Sequence, residues 1–157
     1  MKNILTKLVT SFTITTMACS TLWAQQFGLG VGVTGNNASV IRGTIDLNEN
    51  MRLEPYVSFA YVNPKNTPSS TTVSVGTAFH LMQSINDKLS MYYGGYTGIG
   101  YADFGTTTTI LNFGPVGGVE YALDKQFTLG AEINVNIGVV DTTSVGTNST
   151  AILRYYF

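Results

Sequence analysis

From Gln26 to Phe157 the hydrophobic and polar positions alternate with period two almost without a break, which predicts strands throughout and no helix. The stretch FGLGVGV sets Phe27, Leu29, Val31 and Val33 against Gly28, Gly30 and Gly32. VIRGTIDL opposes Ile41, Gly43, Ile45 and Leu47 to Arg42, Thr44 and Asp46, and NEN then turns the chain. MRLEPYVSFAY places Leu53, Pro55, Val57, Phe59 and Tyr61 opposite Arg52, Glu54, Tyr56 and Ser58. TTVSVGTAFHL and LSMYYGGYTGIGY follow in the same style, with Ser74, Gly76, Ala78 and His80, then Ser90, Tyr92, Gly94, Tyr96, Gly98 and Gly100, on the polar sides. TILNFGPVGGVEYAL, FTLGAEINVNIGV and a last strand from about Val145 to Phe157 complete a meander of eight strands. Most span about 9 to 13 residues, whereas strands of soluble proteins average about 5 or 6. A tilted membrane-crossing strand needs about 9 to 11.

Alternation alone does not say which face is outside, because a soluble barrel alternates too. The charges decide it. Every charged residue within a strand (Arg42, Asp46, Arg52, Glu54, Glu120, Glu132, Arg154) falls on the glycine-rich face, and none on the apolar one. Lys65, Lys88 and Lys125 all fall in loops or turns. A water-facing surface would be crowded with Lys and Glu. This face carries few charges, nearly balanced in sign, among glycines and asparagines, as a narrow interior requires. The apolar face therefore meets lipid. Phe27, Tyr121, Phe127, Tyr155 and Phe157 mark one rim and Tyr61 and Tyr101 the other, as two aromatic girdles. Hydrocarbon offers no partner to an open strand edge, so the sheet must close. The predicted fold is all-β, an eight-stranded antiparallel up-and-down transmembrane β-barrel.

Composition agrees. Of 157 residues 11% are charged, where about 25% is usual, and there are 17 glycines and nine tyrosines. Mean hydropathy is only mildly positive. No uncharged apolar run beyond the N-terminus approaches the roughly 20 residues of a spanning helix. The start, MKNILTKLVTSFTITTMACSTLWAQQ, has Lys2 and Lys7, a threonine-diluted apolar stretch and small Ala24 before the expected cut. It is read as a secretory signal peptide over 1–24, leaving the barrel as 25–157. Cys19 in TMACS, as a lipidated terminus, is the alternative; Thr16 stands where such sites normally carry leucine. With cleavage after Ala24 the mature chain has no cysteine, and six basic residues remain against nine acidic ones. That balance offers nucleic acid no basic patch.

The chain resembles the small eight-stranded outer-membrane barrels of the OmpX and OmpA-transmembrane-domain type. The eight-strand meander, the aromatic girdles and the ending LRYYF carry the likeness. In that family a last strand with apolar residues at alternate positions and a terminal aromatic is read by the assembly machinery. Leu153, Tyr155 and Phe157 match that pattern, so the resemblance implies an assembly signal. It also implies a monomer in a bacterial outer membrane, with lipid and lipopolysaccharide as surroundings and no cofactor.

Candidate chemistry is sparse. If NEN closes a hairpin, Asp46 faces Arg52 and Arg42 lies diagonal to Glu54. Glu132 and Arg154 are expected to meet on the last two strands, with Glu120 and His80 near that end. Confined charges of this kind must be paired, and the set reads as a plug, with a gated pore as the alternative. His80, the only histidine, is read as an interior filler beside Ser74 and Ser90. No cluster of metal ligands surrounds it. Lipid-modifying relatives use a lipid-facing or loop histidine, which FHLMQS does not supply, so no enzyme is expected. The glycines of FGLGVGVTG lack the strand-turn-helix setting of a nucleotide site. Pro55 and Pro115 forfeit ladder hydrogen bonds, and FGPVGG is expected to bulge or kink. If both termini lie in the periplasm, the surface loops are 34–38, 62–70, 102–107 and 140–144, with Lys65, Asp103, Phe104 and Asp141 as their marked residues.

Overall fold

The computed structural model describes residues 26–35, 37–62, 70–103, 107–140 and 143–157. The leader with Cys19, and the loop residues Lys65, Phe104 and Asp141, lie outside them. Eight strands follow in order: β1 (Gln26–Thr34), β2 (Ala38–Asn48), β3 (Met51–Val62), β4 (Ser70–Ser84), β5 (Leu89–Asp103), β6 (Thr107–Ala122), β7 (Phe127–Val139) and β8 (Thr143–Tyr156). Each pairs antiparallel with the next, and β8 pairs with β1 to close the barrel.

Register fixes the shape. Gln26 pairs with Asp46, and the row continues through Arg52, His80, Gly94, Val116 and Asn134 to Asn148. Thr150, two residues beyond Asn148, opposes Thr34, so the row closes with an offset of ten residues from its start. A shear of ten over eight strands about 4.8 Å apart tilts the strands by roughly 40°. At that tilt the run of β5 from Leu89 to Tyr101 rises about 30 Å, the thickness of a hydrocarbon core.

Sidedness is as the pattern requires. Ile133 is 65% exposed while its neighbour Glu132 is 3% exposed. Phe27, Tyr61, Tyr121 and Phe127 are exposed, and Tyr101 is half-buried. At the rim that carries Phe157, the Phe127 and Tyr155 rings meet at a tilt of 57° with centroids 5.0 Å apart, and Tyr155 meets Phe157 edge-on at 5.2 Å. The lumen is filled by matching small residues to large ones. The Tyr156 ring lies over Gly28, the Tyr92 ring over Gly118, and Tyr56 over Gly76 and Gly98. At Gly94 and Gly114 the reason is the backbone itself, because an added Cβ would overlap the carbonyl oxygen of Phe79 or of Val135.

The turns at the terminus end are closed by side chains. Asn86 Oδ1 accepts from the backbone amides of Lys88 and Leu89 at 3.0 and 2.9 Å, and Asp124 Oδ1 from those of Gln126 and Phe127, both at 2.7 Å. Asn48 Oδ1 does the same for Asn50 at 2.9 Å. This is the local reason these asparagines and aspartates end strands. One expectation is corrected here. FGPVGG does not bulge: Phe113 pairs with Ile137 and Val116 with Asn134 in one register, and the irregularity there is a lapse of pairing over Gly114 and Pro115. Pro55 sits in a similar lapse, since Arg42 pairs with Tyr56 and Ile45 with Leu53. Both prolines are tolerated because the rest of the ladder holds the row. The register shift lies instead between Asp46 and Asn48, at the β2–β3 turn.

Candidate functional site

The half of the lumen nearer the termini holds one continuous set of ion pairs. Strand alternation turns Arg42, Arg52, Glu54, Glu120, Glu132 and Arg154 inward, and each is at least nine-tenths buried. Arg154, from β8, donates from Nε to Glu54 Oε1 at 2.8 Å and from Nη2 to Oε2 at 3.2 Å. Its Nη1 reaches Glu120 Oε2 at 2.7 Å. Arg42 clasps Glu132 with both terminal nitrogens at 2.8 Å and touches Glu54 Oε2 at 3.2 Å. Arg52 donates to Asp46 Oδ1 at 2.6 Å and to Glu120 Oε2 at 2.9 Å. Hydroxyls complete the shells. Tyr92 donates to Glu132 at 3.3 Å, Tyr156 to Glu120 at 3.1 Å, and Thr44 to Glu54 at 3.3 Å. Forked arginine–carboxylate pairs are the geometry in which buried charge is best compensated.

The expected lateral pairs Asp46–Arg52 and Arg42–Glu54 are both present. Glu132 and Arg154 do not meet. Thr128 is the neighbour of Arg154 on β7, and Glu132 reaches across the lumen to Arg42. His80 also has other neighbours than those expected. It is fully buried, its ring centroid is 4.7 Å from that of Tyr92, and Nδ1 is 3.9 Å from Glu54 Oε2. Ser90 lies opposite Glu120 instead, and Ser74 lies six positions along β4. Tyr92, Tyr156 and Thr44 are members of the network that charge counting misses. Their signal in the sequence is a tyrosine or threonine on the polar face, spaced two positions along or one strand across from glycine.

Above the Arg42–Glu132 fork, the other half of the lumen is a cavity of about 450 Å³. Amides and hydroxyls line it together with Ala38, Val40, Ala60, Ala78, Ile110 and Val116, with Tyr56 and Tyr96 low on its wall. Asp103, at the end of β5 on that side, is exposed. Leu153 and Phe157 face outward and are exposed, with Tyr155 half-buried between them.

No family model matches the sequence, and no curated protein matches it. Solved structures do match. Neisserial surface protein A shares 18% identity, with 84% of this chain and 94% of that one covered and a TM-score of 0.64. The Yersinia pestis outer-membrane protein Ail, in a phospholipid nanodisc, shares 13% over 84% and 99%, with a TM-score of 0.56. The N-terminal barrel domain of Pseudomonas aeruginosa OprF shares 11% over 84% and 96%, at 0.54. At such identities the likeness is one of architecture. Closed in eight antiparallel strands, apolar outside and ion-paired within, this chain has the fold of the small outer-membrane β-barrels of the OmpX and OmpA transmembrane-domain type.

Proposed function

We propose that this protein is a non-enzymatic barrel of the bacterial outer membrane that acts at its surface, neither conducting solutes nor modifying lipid. One observation carries the reading: three arginines and four carboxylates knit β2, β3, β6, β7 and β8 together across the lumen. Cutting such a network leaves an uncompensated buried charge, at a cost of about 3–5 kcal/mol. A lumen held that firmly is a plug. His80 supports the same reading against lipid chemistry, because it is enclosed and faces away from the bilayer. Contact with other molecules then falls to the exterior and to the loop end, with lipid and lipopolysaccharide around the wall. The barrel stands as a monomer, delivered by the assembly machinery through Leu153, Tyr155 and Phe157.

Planar-bilayer recording tests this. The purified barrel is expected to show no discrete conductance, and an Arg52→Ala, Glu54→Ala variant is expected to leak. Steady wild-type conductance that the double variant abolishes would overturn the reading in favour of a pore.

A further inference from the structure

We infer that the cavity above the Arg42–Glu132 fork is a binding site for a neutral saccharide. The inference goes beyond a surface role and does not depend on whether the plug conducts. The cavity holds about 450 Å³, within the roughly 300–1,000 Å³ of small-molecule sites. Its two walls differ in chemistry. On one, Asn134 of β7 and Asn148 of β8 are direct cross-strand partners, with Asn136 two positions along. On the other, Ser58 of β3 pairs with Ser74 of β4, and Thr72 lies next along β4 on that face.

Among the described residues, Asn134 and Asn148 make no side-chain hydrogen bond to protein, while Asn136 accepts from Tyr96 Oη at 2.7 Å. Asn134 and Asn148 are both half-buried, and polar groups without protein partners take water or a ligand. Amides and hydroxyls offer donors and acceptors side by side, which suits a molecule that is itself both at many points. Charge points the same way. Arg42 and Glu132, the ionised residues lining the cavity, are spent on each other, so an ionic ligand finds no counter-charge. The Tyr56 and Tyr96 side chains on the wall add flat apolar faces for sugar C–H groups.

The test is NMR of the whole barrel in micelles, following side-chain amide signals while trehalose, sucrose or maltose is added. Saturable shifts at Asn134, Asn136 and Asn148 are expected, and in Asn134→Val, Asn148→Val the shift of the remaining Asn136 amide is expected to be at least tenfold smaller in amplitude at equal sugar. The milder Asn148→Ala serves if the double variant fails to fold, as judged by unchanged gel mobility before and after boiling. Glucose 6-phosphate is expected to leave the signals unmoved. Maltoheptaose separates two sources: shifts matching those of maltose indicate the tip of a glycan chain, and their absence a free small sugar. No saturable shift with any of the three disaccharides, or shifts that survive both variants, would overturn the site and leave a water-filled cavity.

Discussion

His80 shows how much a single interior position tells about the whole. Both ring nitrogens are enclosed without a hydrogen-bond partner, and Glu54 already receives two arginines and a threonine. Removing unsatisfied polar atoms while keeping the ring costs little. His80→Phe is therefore expected to hold the unfolding midpoint in urea, within about 1 kcal/mol of wild type. A loss above about 3 kcal/mol would mean that the imidazole is a charged member of the network. Glycine gives a sharper contrast. An alanine at Gly114 would drive its Cβ into the Val135 carbonyl, whereas at Gly117 the nearest atom is Tyr92 O at 3.6 Å. Gly114→Ala should destabilise by about 1–3 kcal/mol. Gly117→Ala should be neutral or stabilising by up to about 1 kcal/mol. Equal effects in the same urea titration would contradict the packing described for the lumen.

At the level of the element, the strands were legible because a half-buried strand writes its two faces as alternate letters. The ends were less so: β4 runs to Ser84 and β6 begins at Thr107, two or three residues past the alternation. Polar Gln83 and Ser84 read as turn, yet they pair with Met91 and Ser90. Lateral ion pairs were legible too, since Asp46–Arg52 needs only a hairpin. Arg42–Glu132 was not, because it spans the lumen, and only the shear and radius of the closed barrel tell which residues face each other across it. The final strand carries its own prediction. Phe157 is 78% exposed, and what ties it to the fold is a hydrogen bond from its backbone N–H to Phe27 O at 2.9 Å and the ring of Tyr155. Deleting Phe157 should cut the amount assembled in cells severely while leaving refolding from urea into micelles nearly unchanged. Equal losses in both assays would make it a structural residue and not a signal.

For the whole molecule, everything follows from which side of the sheet meets hydrocarbon. Eight strands with ten residues of shear give a wall about as tall as a bilayer core, and arginines within it survive by sharing carboxylates across the lumen. The most direct test is a nitroxide attached at Ile133→Cys in the barrel reconstituted into lipid vesicles. Collisions with oxygen, which concentrates in hydrocarbon, should dominate those with a water-soluble nickel chelate. A label relaxed mainly by the nickel chelate would put that face in water and contradict the account.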